Sequence, residues 1–249
     1  MAGPLDGRVA VVTGGSGAIG GAIARMLAAD GAVVAVCYRG GAERAREIAA
    51  GIVARGGRAE QFGFDVRDGE AVEAAFDAIA ASLGGVHVLV NNAGTTLDKL
   101  LLRTRDKELG EVLDADLGGA YRCARAAIAR MLKGRWGRVV NIASIVGEAG
   151  NAGQTAYAAA KAGLLGLTRA LAAEVAGRGI TVNAVSPGFI DAGQTGRLSE
   201  KAREAVLARI PAARFGTPDD VAHAVGFLVS EGASYVTGAV IRVNGGLYM

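Results

Sequence analysis

The stretch Val9-Ala-Val-Val-Thr-Gly-Gly-Ser-Gly-Ala-Ile-Gly20 decides the fold. An apolar run enters a glycine-rich turn, and an Ala/Leu/Arg segment with helical character follows. Successive side chains of a strand point to opposite faces, so Val9-Ala-Val-Val12 is apolar on both. Val33-Val-Ala-Val36 repeats the pattern. Strands of this kind belong in a parallel sheet covered by helices on each side.

Working outward, short β-branched runs alternate with longer helical segments along the whole chain. The pattern predicts strands at residues 9–13, 33–38, 59–65, 86–90, 138–143, 180–186 and 240–243. It predicts helices near residues 18–29, 41–55, 69–82, 106–132, 155–177, 197–209 and 218–230. The last opens on Thr217-Pro218-Asp219-Asp220, an N-cap, a first-turn proline and acids that complement the helix dipole. With no linker or repeat, residues 1–249 read as a single α/β Rossmann-type domain with a mainly parallel, seven-stranded, doubly wound sheet. Ligands of such sheets bind beyond the carboxyl ends of the strands.

Composition narrows the function classes. The 249 residues are 51% hydrophobic, enough for a substantial core, and the net charge is only +3. Arginines alternate with acids, as in Glu43-Arg44-Ala45-Arg46-Glu47, which argues against charge-driven nucleic-acid binding. Cys37 and Cys123 have no metal-like spacing and read as thiols in a reducing compartment. His87 and His223 are too few for a zinc centre or a hydrolytic triad with Ser144, so no metal is expected. The start lacks a basic, then apolar leader, and no run reaches membrane-spanning length; a soluble cytoplasmic protein is expected.

Gly15, Gly17 and Gly20 satisfy G-x-G-x-x-G between a strand and a helix. Glycines let the backbone turn sharply and approach a pyrophosphate, whose charge the helix N-terminus favours. Gly14, Gly15, Ser16, Gly17, Ala18, Ile19 and Gly20 are therefore candidate cofactor contacts. The second strand ends Cys37-Tyr38-Arg39, lacking the acid that commonly meets NAD ribose hydroxyls. Arg39 suits a 2′-phosphate, so NADP(H) is the expected cofactor, with Tyr38 beside it. Asp65-Val66 and Asn92-Ala93-Gly94 follow the third and fourth strands on the same side.

Tyr157 and Lys161 stand four apart on a predicted helix and share one face. A free phenol deprotonates only near pH 10, and a neighbouring ammonium favours the phenolate, making a usable proton donor and acceptor. Ser144, just past the fifth strand, is placed to hydrogen-bond a carbonyl oxygen as charge develops on it.

Together these segments resemble the short-chain dehydrogenase/reductase family. Thr13, Gly14, Ala18 and Gly20 match its glycine motif, and Asn91-Asn92-Ala93-Gly94, Ser144, Tyr157-Ala-Ala-Ala-Lys161, Pro187-Gly188 and Val243-Asn244-Gly245-Gly246 follow in order. Within the family the likeness is closest to reductases of β-ketoacyl thioesters on acyl carrier protein. It rests on Gly150-Asn-Ala-Gly-Gln-Thr-Ala-Tyr157, Arg178-Gly-Ile-Thr-Val-Asn183, Pro187-Gly-Phe-Ile190 and Asn244-Gly-Gly-Leu-Tyr-Met249. The resemblance implies NADPH-dependent reduction of a β-ketoacyl thioester in fatty-acid or related synthesis by a homotetramer. It implies that Lys161 also bonds the nicotinamide ribose, that Pro187, Gly188 and Ile190 border the nicotinamide, and that Arg135 and Arg178 meet an acidic carrier protein. A polyketide ketoreductase, another alcohol or sugar dehydrogenase, and a catalytically weak NADP-binding partner subunit remain open.

Some positions depart from the family pattern. Asp116 stands where an asparagine commonly supports a water leading to the catalytic lysine. Its backbone carbonyl is retained, and its carboxylate adds charge near Lys161; it is kept as a fourth catalytic candidate. Ala192 replaces a threonine that bonds the carboxamide, with Thr195 three residues on. Gly17 stands where many NADP-preferring members have arginine, and His87 replaces a frequent aspartate.

Overall fold

Parallel pairing of β1 (Val9–Val12) with both β2 (Val33–Tyr38) and β4 (Val88–Asn91) organises the molecule. The computed structural model describes residues 3–193, 196 and 199–249. Seven strands form one sheet in the order β3-β2-β1-β4-β5-β6-β7, all parallel. The remaining strands are β3 (Arg58–Gly63), β5 (Gly137–Ile142), β6 (Ile180–Pro187) and β7 (Val240–Val243). The chain reverses its direction of travel across the sheet between β1 and β4. The loops leaving those two strands diverge there and open a crevice at their carboxyl ends.

Alternation along the strands divides the core. Ala10, Val12, Val34, Val36, Val88 and Val90 face α1 (Ala18–Ala29), α2 (Ala42–Val53) and α9 (Pro218–Val229). Val9, Val11, Val33, Ala35 and Leu89 face the opposite layer: α3 (Gly69–Leu83), α5 (Gly119–Gly134) and α7 (Thr155–Val175). Both layers are therefore required, which explains why these strands are apolar at every position. Among the described residues no helix is long and apolar enough to cross a membrane.

Local chemistry sets the helix starts. Thr217 Oγ1 accepts the Asp220 N–H, the Asp220 carboxylate accepts the Thr217 N–H, and Pro218 occupies the first turn, as the sequence indicates. Asp68 caps α3 by accepting the Glu70 and Ala71 amides.

One expected helix is different. Residues 106–132 are not continuous: α4 (Asp106–Leu113) passes through a π turn at Asp114–Gly118 before α5 begins. An Arg122–Asp114 ion pair of 2.7 Å spans that turn. The extra residue rotates Asp116 into the interior, where its side chain is fully buried. A four-residue helix, α6 (Val146–Ala149), was not anticipated, and α8 covers Glu200–Leu207. The third strand ends at Gly63, so Asp65 and Val66 lie in the turn beyond it.

Candidate active site

The glycine turn is locked to the loop after β4. Thr13 Oγ1 accepts the Asn92 and Ala93 amides, both at 3.0 Å, while Asn92 Nδ2 donates to the Thr13 and Gly14 carbonyls at 3.0 and 3.1 Å. Gly14 has φ +62, and a Cβ on Gly20 would collide with the Gly14 carbonyl oxygen. Only glycine allows α1 to approach this closely. Gly17 is the N-cap of α1, so the amides of Ala18, Ile19 and Gly20 form its first turn.

A cleft of ≈ 170 Å³ lies beside this turn, walled by Gly14, Ser16, Tyr38, Arg39, Asp65, Val66, Ala93 and Gly94. Ser16 Oγ donates to the Gly40 carbonyl at 3.1 Å and so ties the loops after β1 and β2. Tyr38 packs against Gly63. Asp65 is gripped by Arg67, with Nη2 to Oδ2 at 2.6 Å, while Arg39 stands 3.7 Å from the same carboxylate. Hydrogen bonds from Arg67 hold the Asp65 carboxyl down at about 2, so it is ionised at neutral pH. A free helix N-terminus, glycine-permitted close approach and cationic groups at the far end fit a dinucleotide with its pyrophosphate over Gly15–Gly20.

The remaining candidate catalytic residues lie after β5 and on α7. Lys161 lies on α7, 95% inaccessible, and its Nζ donates to the Ile142 carbonyl at 3.0 Å. Its Nζ is 3.1 Å from Asp116 Oδ2 and 5.6 Å from the centroid of the Tyr157 ring. The Asp116 contact is electrostatic rather than a directed hydrogen bond. Asp116 Oδ1 accepts the Thr95 N–H at 2.7 Å, and Gly94 packs on the same carboxylate. Tyr157 packs on an apolar wall with Leu97 and Leu113. Ser144 Oγ accepts the Val146 N–H at 3.2 Å, which leaves its own O–H to donate elsewhere. Ser144 is tied to Lys161 through the turn of α6, whose Gly147 lies against the Lys161 backbone.

Pro187 borders the same turn: its carbonyl accepts the Ile145 N–H at 3.0 Å, and the Gly188 N–H donates to Val243 at 2.9 Å. The Ile190 side chain is buried in the core, and its carbonyl accepts the Ala192 N–H at 2.7 Å. Ala192 packs on that core, and Thr195 lies outside the described residues.

Other expected residues lie far from this cluster. Arg135 and Arg178 are exposed at the entry ends of β5 and β6, opposite the strand ends that carry Ser144. Arg135 Nη2 donates to the Gly177 carbonyl at 3.1 Å, which brings the two segments together. His87 sits at that same end, where its Nδ1 accepts the Val9 N–H at 3.0 Å. It closes the start of β1 and is a structural group.

Sequence reading missed a buried polar ladder beside the site. Asn91 Nδ2 donates to Asn141 Oδ1 at 2.9 Å and to the Ala120 carbonyl at 3.3 Å; Asn141 Nδ2 donates to Thr168 Oγ1 at 2.9 Å. The available signal was an asparagine inside the apolar run Val139-Val140-Asn141-Ile142. A buried amide of that kind demands partners.

Comparison with known proteins agrees with this geometry. Residues 14–248 match a family model described as Enoyl-(Acyl carrier protein) reductase. The chain is 51% identical over 245 residues to the 3-oxoacyl-(acyl-carrier-protein) reductase FabG of Pseudomonas aeruginosa, spanning 98% of this chain and 99% of that protein. It is 45% identical to the protein of the same name from Staphylococcus aureus strain Mu50, over 96% and 98% of the two chains. The Escherichia coli K12 protein is 44% identical, over 98% and 99%. The chain is an oxidoreductase with a nicotinamide cofactor, and it belongs to the short-chain dehydrogenase/reductase family.

Proposed function

We propose that this protein reduces a 3-oxoacyl thioester, held on an acyl carrier protein, to the 3-hydroxyacyl thioester with NADPH. The observation that carries the reading is Lys161, 5.6 Å from the Tyr157 ring centre, packed under the turn after Ser144 and joined through Asp116 to Thr95 in the wall of the cleft. NADPH, when bound, supplies the hydride. Ser144 donates its hydroxyl hydrogen bond to the ketone oxygen, with the Val146 amide fixing the rotor. Tyr157 gives the proton from its Oη to that oxygen as charge builds on it. Lys161, held by the Ile142 carbonyl and Asp116, presents its ammonium to the tyrosine and to the nicotinamide ribose.

Preference for NADPH is supported by Arg39. Arg67 already holds Asp65 at 2.6 Å, whereas Arg39 is 3.7 Å away and 60% exposed. Its guanidinium can therefore turn to a 2′-phosphate at little cost. The carrier protein is assigned to Arg135 and Arg178. Because they sit at the opposite end of the sheet from Ser144, a carrier docked there serves the site of a neighbouring copy. That arrangement agrees with the proposed homotetramer, as do the exposed Leu101, Leu102, Phe227 and Tyr235.

A second reading, reduction of an enoyl thioester, follows from the description of the matching family model. The ketone is favoured because the relatives at 44–51% identity carry the 3-oxoacyl name and Ser144 keeps a hydroxyl free to donate to a ketone oxygen. Purified protein given NADPH is assayed side by side on acetoacetyl and crotonyl thioesters, with NADH in parallel. Turnover of the ketone with NADPH, lost in Tyr157→Phe, is expected. Faster turnover of the enoyl substrate, or an undiminished Tyr157→Phe variant, overturns the proposal.

A further inference from the structure

A buried carboxylate that the reduction itself does not use stands directly behind the serine. Glu148 lies on α6, four residues after Ser144, and its side chain is only 7% exposed. Oε2 accepts two hydrogen bonds from Arg242, from Nε at 2.9 Å and Nη2 at 2.7 Å. Oε1 is buried without a hydrogen-bond partner among the described residues. Removing a carboxylate from water costs several kcal/mol, so a half-satisfied glutamate is a poor choice for stability alone.

The surroundings show what this contact holds. Ser144 sits in a tight turn: Val146 N–H donates to its Oγ at 3.2 Å and Gly147 N–H to its carbonyl at 2.9 Å. Gly147 leaves no room against Lys161, where an added Cβ would lie 2.7 Å from the lysine carbonyl carbon. Arg242 belongs to β7, the sheet edge, in register with Ser186. Its guanidinium carbon lies 5.2 Å from the Tyr248 ring centre, and Tyr248 is anchored by Asn244 Nδ2 donating to its carbonyl at 2.8 Å. Asn244 in turn packs against Gly188. The serine turn, the Pro187-Gly188 turn and the C-terminal segment are thus cross-braced through one ion pair that spans β6.

We propose that Glu148 is a positioning residue for Ser144, acting through its ion pair with Arg242. The pair holds the α6 turn down on Lys161, so that the Val146 amide stays on Ser144 Oγ and the serine O–H points at the ketone oxygen. Without it the turn is free to lift, and the serine loses its fixed direction. Displacements on the ångström scale in such groups cost rate rather than binding. The inference rests on the reductase reading of Ser144.

The test is a double-mutant cycle on the purified full chain. Glu148→Ala and Arg242→Met are each expected to lower kcat about tenfold, leaving the NADPH dissociation constant, read by cofactor fluorescence, unchanged. In a Ser144→Ala background the same changes are expected to cost less than about twofold, because their effect passes through the serine. The exchange Glu148→Arg with Arg242→Glu is expected to recover part of the lost rate. Arg242→Met strands the buried Glu148 carboxylate, so Glu148→Gln, which keeps an acceptor for Arg242, is measured beside it, and thermal melting monitors folding of each protein. Full multiplication of the losses in the double variant, or unchanged kcat in folded single variants, overturns the proposal. Rates are measured on acetoacetyl thioester and on ethyl chloroacetoacetate, a simple activated ketone. Wild-type protein active on the ketone alone would sink the thioester reading and leave the cycle to be read on the ketone.

Discussion

Asp116 Oδ2 lies 3.1 Å from Lys161 Nζ, with the aspartate side chain fully buried and the lysine nearly so. The π turn creates this pairing by turning Asp116 inward, and the Thr95 amide fixes the carboxylate from the other side. The ammonium proposed to support Tyr157 thus stands beside a carboxylate in the protein interior.

Replacing that anion tests its reach. Asp116→Asn keeps the shape and an acceptor for the Thr95 amide, and leaves the ammonium's field at Tyr157 unopposed. The pH–rate profile for reduction is expected to move toward lower pH, with the melting temperature little changed. A superimposable profile would mean that the carboxylate charge does not reach the tyrosine.

The proposed NADPH preference rests on Arg39. Arg39→Ala is expected to raise the KM for NADPH by about tenfold or more, the loss of one charge-assisted contact, while leaving the KM for NADH unaltered. Added salt is expected to weaken NADPH binding to wild type more than to the variant. Equal effects on both cofactors would remove the arginine from the 2′-phosphate.

His87 is expected to make the native state sensitive to acid. Burial first, and the nearby Arg8 charge second, hold its imidazole below the ordinary value. As pH falls, the unfolded chain takes up the proton first, near pH 6.5. Native stability is full above that point and declines as pH drops toward the lower folded value. His87→Gln retains an acceptor for the Val9 amide but cannot titrate there. Between about pH 7 and 5 its melting temperature is expected to fall less than that of wild type. Parallel curves would assign the acid sensitivity to other groups.

The buried ladder offers a stability test apart from the chemistry. Asn141→Ala removes one of two partners from the Asn91 amide, which keeps the Ala120 carbonyl, and from the Thr168 hydroxyl, which keeps the Leu164 carbonyl. Urea unfolding is expected to show a loss of about 1–3 kcal/mol with an unchanged slope. A smaller loss would imply that the freed groups find other partners.

Much of this was legible in one dimension, for physical reasons. Val9-Ala-Val-Val12 had to lie in a two-sided sheet because both of its faces are apolar, and Gly14 and Gly20 had to stand where α1 and the turn nearly touch. Tyr157 and Lys161 share a face by helical periodicity alone. These are local rules, set by stereochemistry over a few residues.

What only the tertiary structure decided comes from contacts between distant segments. The helical pattern expected over residues 106–132 carries no mark of the π turn that buries Asp116, because the turn is stabilised by contacts with Lys161 and the loop at Thr95. Glu148 and Arg242 are 94 residues apart in sequence and meet only when β6 and β7 pair beneath them. Local periodicity sets the elements and the reacting pair; the electrostatic company those groups keep is settled only when the strands align.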